Sequence, residues 1–191
     1  MHDDRRTAGL ASMGKSMREC EKLCGAPGKT PDHMPTPGRP FSGYIRSSLE
    51  LFRALKESGF SVSPDSFVHG IFEVYPGNIW YCLTSKILPN GIPDKHTQKG
   101  RRARKIILGA LGVAALPDLP THDENDACIG ALLAAAADNK VDGVVTVRRG
   151  QPLLVESDGT LREGPMIIPE ISPEAQGRIE RALKEVMPDL W

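Results

Sequence analysis

The sequence lacks an excess of charge of either sign, because 24 Lys and Arg residues balance 24 Asp and Glu residues. With no net charge there is no global field to attract nucleic acid, so contact with a polyanion must come from a local basic patch. No apolar run approaches the length of a membrane span, and the charged N-terminus has no apolar stretch typical of a signal peptide. We therefore expect a cytoplasmic protein with no membrane association.

Cysteine is scarce as well, with 4 residues among 191. In the absence of a secretory signal, they are expected to be reduced thiols rather than disulfides. Cys20 and Cys24, even together with His33, form a weak zinc pattern because a fourth ligand is missing. Buried thiols are the better interpretation of both cysteines.

The length suffices for one domain with a real core. Residues 1–16 show no hydrophobic periodicity and are predicted to be a flexible N-terminal arm, and residues 17–191 to be a single domain. A loop rich in proline and glycine follows from Gly25 to Gly43, and a helix from Tyr44 to Ser58. Near the C-terminus, Asp158-Gly159 indicates a hairpin, and Ser172-Pro173 starts the last helix.

The strongest strand pattern runs from Phe67 to Tyr75. Both of its faces are largely apolar, which is typical of a central strand covered on both sides. Glu73 is then a carboxylate near the end of a buried strand, which has to be paired, protonated or bound to a cation. A salt bridge to a neighbouring Lys or Arg is one interpretation. We favour a functional site, because the strand breaks directly afterwards at Pro76-Gly77.

A second acidic feature marks the start of a helix. Thr121 and Glu124 have the spacing of a capping box, and Asp123 and Asp126 lie three residues apart on one face of the first turns. From Ala127 onward the helix is apolar. Acidic residues are common in first turns because the helix dipole favours them, so a capping role and a binding site are both open.

The third feature is basic. A helix predicted over Lys99 to Leu111 opens with a cluster of cationic residues, namely Lys99, Arg101, Arg102, Arg104 and Lys105. Such a cluster is usually a solvated face. It is also the one patch in this sequence able to hold phosphates through charge-assisted hydrogen bonds.

The three carboxylates could meet at one site, because small residues (Gly130, Ala131, Ala134) would let the acidic helix approach the sheet closely. Convergent carboxylates such as Glu73, Asp123 and Asp126 bind hard divalent cations, and Mg²⁺ or Mn²⁺ suits an all-oxygen site. Two such ions activate a water and stabilise the leaving oxygen in phosphodiester cleavage.

These landmarks resemble a known family in their order along the chain. They are Phe72-Glu73-Val74-Tyr75-Pro76, Lys86, the Lys99 to Arg102 region and His122-Asp123-Glu124-Asn125-Asp126-Ala127. The family is that of the predicted nucleases with an RNase H-like fold, domain of unknown function four hundred twenty-nine. Met17 to Glu21 and Gly164 to Pro169 also resemble its pattern, so the resemblance runs from about Met17 to Pro169. The Asp-x-x-Asp-Ala helix start is similar to that of Holliday-junction resolvases.

The resemblance implies a metal-dependent nuclease or phosphoesterase. Glu73 would be the second metal ligand and Asp126 the ligand on the helix, with Asp123 beside it as a ligand or next to one. Lys86 would orient phosphate or water. Lys99, Arg101 and Arg102 would contact the nucleic-acid backbone.

The chain departs from the family at its start. RNase H-like enzymes carry a first metal-binding Asp on the first strand, and no such strand pattern precedes Met17. We expect an α/β fold with an RNase H-like mixed sheet flanked by helices, incomplete on its N-terminal side. The alternative function is a non-catalytic truncated remnant, or a fragment that binds nucleic acid or a partner. An open sheet edge would favour a homo-oligomer or a completing partner chain.

Overall fold

The computed structural model describes residues 42–61, 70–150, 154–155, 161–162 and 165–191. In these ranges the chain forms five α-helices: α1 (Ser42–Glu57), α2 (Pro76–Thr84), α3 (Gln98–Ala110), α4 (His122–Ala137) and α5 (Pro173–Val186), followed by a 3₁₀ turn (Pro188–Leu190). Its strands are β1 (Glu73–Val74), β2 (Val144–Arg149), β3 (Leu154–Val155), β4 (Leu161–Arg162) and β5 (Met166–Ile171). The predicted α/β class is confirmed. The predicted arm, Cys20 and Cys24 lie outside the described residues.

Three strands form a small mixed sheet in the order β1-β5-β2. The other two strands pair antiparallel, with Leu154 opposite Arg162 and Val155 opposite Leu161. This pair confirms the predicted hairpin strands, whereas the turn at Asp158-Gly159 lies outside the described residues. The chain divides into two compact units, one of residues 1–73 and 148–167, the other of residues 74–147 and 168–191.

The second unit is a helical layer with its own core. α3 packs against both α4 and α5, and α2 packs against α4. Each helix contributes apolar side chains that solvent hardly reaches, namely Ile79, Trp80, Leu83, Ala103, Ile107, Leu108, Ile129, Leu133, Ile179 and Leu183. Burial of this apolar surface is the main stabilising contribution to the unit.

Three helices of this unit begin at a hydroxyl side chain that accepts a backbone hydrogen bond. Thr97 accepts from the Gly100 amide at 2.9 Å, and Ser172 from the Ala175 amide at 3.2 Å. Thr121 and Glu124 form both halves of the predicted capping box, which is thereby confirmed. Local capping thus sets where α3, α4 and α5 start, and with them the positions of the side chains in their first turns.

Some boundaries differ from the prediction. Within the described part of Phe67–Tyr75, strand structure covers Glu73 and Val74, and Gly70 forms an isolated parallel bridge with Ser61. The sequence predicts a short strand from Met166 to Ile168 that ends at Pro169, whereas Pro169 lies inside β5. The spacing of Ile179, Leu183 and Val186 predicts a buried stripe on α5; the first two are buried, whereas Val186 is 42% exposed at the end of the helix.

The capping box makes stability depend on pH through Glu124. Hydrogen bonds from the Thr121 amide and hydroxyl hold the pKa of this carboxyl below its usual value of 4.5. The stability that the Glu124 carboxylate contributes is therefore fully present above pH 4.5. It is lost as the pH falls through the lowered pKa that this group has in the folded protein. We expect Glu124→Gln to destabilise the protein at pH 7 and to have no effect in strong acid, measured by urea unfolding at both pH values. Glu185→Gln, on the exposed side of α5, is the control. An equal loss at both pH values would contradict this account.

Candidate functional site

The best-defined polar site surrounds Asp126 in the second turn of α4. One carboxylate oxygen accepts a hydrogen bond from Trp80 Nε1 at 2.9 Å, and the other accepts one from Lys95 Nζ at 2.7 Å. The Asp126 side chain is 17% exposed, so both bonds are partly shielded from water. Such charge-assisted bonds are about twice as strong as neutral ones. Asp126 is therefore a fixed carboxylate that holds a cationic group.

The face of the Trp80 ring is held by a buried cation. The Arg104 guanidinium lies 5.5 Å from the centroid of the Trp80 ring. It also donates to the Pro93 carbonyl at 2.8 Å and to the Gly100 carbonyl at 2.9 Å. Burial lowers the pKa of Arg104, while the carboxylates of Asp126 and Asp94 raise it. Because the guanidinium holds the face of the Trp80 ring, the ring N–H has a fixed position. It thereby fixes the position of the Asp126 oxygen that accepts its hydrogen bond.

The segment that carries Lys95 is anchored on both sides. The Asp94 carbonyl accepts from the Thr97 amide at 3.1 Å and from its hydroxyl at 2.7 Å, and the Asp94 carboxylate accepts from the His96 amide at 2.7 Å. At Gly100 the first turn of α3 lies so close to this segment that a Cβ would overlap the Asp94 and Pro93 carbonyls. The backbone at Lys95 is thus fixed, although its side chain is 34% exposed.

Asp123, three residues before Asp126, faces solvent with an exposed fraction of 85%. Its Oδ1 lies 2.9 Å from His122 Nδ1. The His122 ring meets that of His96 edge to face, with 4.6 Å between centroids. Asn125, the fully buried residue that precedes Asp126 in the chain, donates to the Arg101 carbonyl at 3.3 Å. Asp123 is therefore exposed beside an imidazole ring, whereas Asp126 is held by two hydrogen-bond donors.

Glu73, in β1, is half-buried and belongs to the first unit, whereas Asp123 and Asp126 belong to the second. In the described ranges, no three His, Cys, Asp or Glu side chains are grouped in a way that could hold a metal ion. Convergence of all three carboxylates stays a prediction.

A Mg²⁺ site does not require three protein ligands. This ion keeps several waters and is commonly held by one or two carboxylates together with substrate phosphate. Asp126 and Asp123 supply hard oxygen ligands one helical turn apart, and Asp126 already binds an ammonium group. Both oxygens of Asp126 already accept bonds from protein donors, and a divalent-cation site on α4 stays a prediction.

The predicted basic cluster is divided by the fold. Lys99 pairs with Asp189 at 2.6 Å and thereby lowers the pKa of that carboxyl. Lys86 and Arg102 are exposed, and Arg101 is half-buried. Arg104, which the sequence placed in the same cluster, points into the protein instead. Arg104 therefore packs over the Trp80 ring inside the protein, whereas Lys86, Lys99 and Arg102 are exposed at the surface.

Two members of the site, Trp80 and Lys95, were not singled out from the sequence, and Arg104 was singled out only as part of the basic cluster. A tryptophan on a buried apolar helix needs a partner for its N–H, and that rule could have indicated a buried acceptor. Nothing in the local pattern marks Lys95, which lies 31 residues from Asp126 along the chain.

None of the described helices is long and apolar enough to cross a membrane.

Comparison with known proteins adds no relative: no protein-family model, no curated protein and no solved structure matches the chain. The family resemblance therefore stays a prediction.

Proposed function

We propose that this protein is a divalent-metal-dependent phosphodiesterase, a nuclease of the RNase H-like class. The observation that carries the proposal is Asp126, whose carboxylate is fixed by Trp80 and binds a cation, the Lys95 ammonium, on its second oxygen. A partly shielded carboxylate needs a positively charged partner, and the bound Lys95 ammonium shows that Asp126 attracts cations. The ordered resemblance supports the same class of activity.

In this proposal Asp126 is the main protein ligand of Mg²⁺ or Mn²⁺ and Asp123 joins it from the preceding turn, while the role of Glu73 stays the prediction made from the sequence. The cation, when bound, supplies Lewis-acid polarisation of the phosphodiester and a more acidic bound water. Trp80 keeps Asp126 in place through its N–H bond. His122, which lies 2.9 Å from Asp123, is placed to accept or donate a proton beside that carboxylate.

The substrate in this proposal is a nucleic acid, bound through its phosphates. Lys86 and Arg102 are exposed cations, and Arg101 and Lys99 lie beside Arg102 in the first turn of α3. To reach a phosphate, Lys99 has to exchange its contact with Asp189, an exposed pair of the kind that contributes little to stability. A cytoplasmic location, where RNA and magnesium ions are both present, belongs to the same proposal.

The test is Mn²⁺ binding followed by the fluorescence of Trp80, which touches the proposed ligand. The protein has 2 tryptophans, so Trp191→Phe leaves Trp80 as the single reporter. In this background we expect Mn²⁺ to quench the emission and Mg²⁺ to compete with it. Asp126→Asn keeps the shape of the side chain but removes its charge. It should weaken binding by about 100-fold or more, since even groups that only orient a metal ligand are worth 10- to 100-fold.

The control variant is Asp138→Asn at the other end of α4. Asp138 pairs with Lys140 at 2.7 Å, the same distance as in the Lys95–Asp126 pair. It should bind Mn²⁺ as the parent does. Glu73→Gln, in the same titration, tests whether the carboxylate of the first unit takes part. Unchanged binding in Asp126→Asn would refute the proposed ligand and, with it, the metal-dependent reaction.

A second candidate function is a non-catalytic module that binds a partner chain or nucleic acid. Both oxygens of Asp126 already have protein donors, which is also what a purely structural carboxylate shows. In the described sheet, β1 and β2 are the edge strands and can pair with another chain. Absence of Mn²⁺ binding, combined with a dimer or larger species in sedimentation, would favour this candidate.

A further inference from the structure

The 3₁₀ turn Pro188–Leu190 places a carboxylate on the basic start of α3. Asp189 Oδ2 lies 2.6 Å from Lys99 Nζ, and the same ammonium donates to the Asp189 carbonyl at 3.3 Å. The hydrogen bond from Lys99 lowers the pKa of the Asp189 carboxyl, and the charge of Arg102 lowers it further. Lys99 and Arg102 are three residues apart on α3 and so share one face of the helix. One carboxylate therefore lies against two cations.

The backbone that carries Asp189 is anchored on both sides. Met187 and Leu190, which flank the 188–189 pair, are 5% and 7% exposed. The Met187 amide donates to the Leu183 carbonyl of α5 at 2.7 Å, and the Leu190 amide donates to the Met187 carbonyl at 3.2 Å. Lys99, by contrast, ends in an ammonium on a flexible stem, and its side chain is 43% exposed. The carboxylate is thus held in place, while the cation opposite it can turn to another partner.

The surroundings of this carboxylate suit an anion. Lys99 and Arg102 supply two positive charges near the N-terminal end of α3, where the helix dipole is also positive. A phosphate group offers oxygens that accept the same charge-assisted hydrogen bonds as a carboxylate does. The pair with Asp189 is exposed, and pairs of this kind contribute little to stability. A phosphate can therefore take the place of the carboxylate without disturbing the core.

We propose that Asp189 is a built-in substitute for a nucleic-acid phosphate: it neutralises Lys99 and Arg102 when no nucleic acid is bound and gives them up to a phosphate when one binds. The inference rests on the nucleic-acid substrate of the proposed function and is independent of its metal ion. Because the turn is anchored, the carboxylate stays beside the bound phosphate and repels it. Asp189 thereby weakens the binding of any polyanion at this face, so a ligand needs further contacts to remain bound.

The experiment measures binding of a fluorescein-labelled single-stranded RNA oligonucleotide by fluorescence anisotropy, with a chelator present so that no divalent ion contributes. Asp189→Asn keeps the shape of the side chain and removes its charge. We expect it to bind the RNA about threefold more tightly than the parent at about 50 mM salt, the size of effect that one exposed ion pair provides. The dependence of log affinity on log salt should steepen by about 0.7, the value for one further phosphate contact of a single strand.

Three variants serve as controls. Asp138→Asn removes the same charge from a Lys–Asp pair of nearly the same length, 2.7 Å, at the far end of α4, and should bind as the parent does. Asp189→Glu keeps the charge and should not bind more tightly. Lys99→Met should weaken binding, and in its background Asp189→Asn should have a smaller effect than in the parent, because one of the two released cations is gone.

The outcomes separate this inference from the proposed function. If Lys99→Met weakens binding while Asp189→Asn binds as the parent does, the phosphate contact stands and the role of Asp189 is overturned. Equal gains in Asp189→Asn and Asp138→Asn would also overturn it, because net charge alone would then explain both. If neither the parent nor Asp189→Asn binds RNA, this inference and the proposed substrate fail together, whereas the Mn²⁺ titration decides on the cation site separately. Circular dichroism of each variant shows whether it has folded.

Discussion

Replacing Gly100 by alanine is expected to destabilise the protein by about 3 kcal/mol, the upper range for overpacking at a close contact. Gly100 lies in the first turn of α3, where the new Cβ would overlap the carbonyl groups of Asp94 and Pro93. These are backbone atoms that cannot rotate away as a side chain could. Relief would require moving the 93–97 segment, which Arg104 and the Asp94 turn hold in place.

The matched control lies in the same helix. A Cβ at Gly109 would meet no heavy atom of the described chain within 4 Å. Gly109→Ala should therefore stabilise the protein by about 0.5–1 kcal/mol, since alanine has the higher helix propensity and restricts the unfolded chain. Urea unfolding of both variants provides the comparison. Equal effects of the two substitutions would contradict the close approach at Gly100.

The Gly100 substitution should also reach the candidate site. The segment that it displaces carries Lys95, whose ammonium lies 2.7 Å from Asp126. In the Trp191→Phe background, Trp80 reports on this carboxylate directly. We expect Gly100→Ala to shift the emission of Trp80 under conditions in which the protein is still folded, and Gly109→Ala to leave it unchanged.

Features that depend on neighbouring residues could be predicted from the sequence. The capping box at Thr121 and Glu124 is a four-residue pattern, and the structure confirms it. Ser172 before Pro173 starts α5 as expected, and the surface pair Glu180–Lys184 forms at 2.7 Å. In each case the partners are close along the chain, so the physical interaction is written in the local sequence.

The surroundings of the candidate site could not be predicted in the same way. Asp126 was singled out by its position at the start of an apolar helix, but its partners lie 46 and 31 residues earlier in the chain. The side-chain direction of Arg104 depends on where Trp80 and Pro93 lie in the fold. A sequence pattern identifies a carboxylate that needs a partner, whereas tertiary packing decides which residue meets that need.

The short β1 illustrates the limit for strands. The alternation over Phe67–Tyr75 predicts a long central strand, but a strand requires a neighbour with which to form hydrogen bonds. In the described part of that stretch, pairing extends over Glu73 and Val74 and the bridge at Gly70. Local pattern indicates which residues suit a sheet, while the length of a strand is decided by its partner strand.

Substitution of Trp80 should have the largest effect on the free energy of unfolding and should also remove a hydrogen bond from Asp126. Trp80→Ala is expected to destabilise the protein by about 4 kcal/mol, because the side chain is 1% exposed and its removal leaves a cavity beneath Arg104. Trp80→Phe keeps most of the apolar volume and an aromatic face for the guanidinium. It loses the N–H bond to Asp126, a hydrogen bond to a charged group that contributes about 2 kcal/mol.

A double-mutant cycle isolates that bond. Trp80→Phe and Asp126→Ala are measured by urea unfolding, separately and together, so that the free energy specific to the pair remains after subtraction. We expect a coupling of about 1–2 kcal/mol, reduced from the value for a fully buried bond because Asp126 is 17% exposed. The pair of Trp80→Phe with Asp138→Ala is the control and should show additive effects. Additivity in both pairs would mean that Trp80 contributes packing alone, and that Asp126 owes its position to Lys95 and the start of α4.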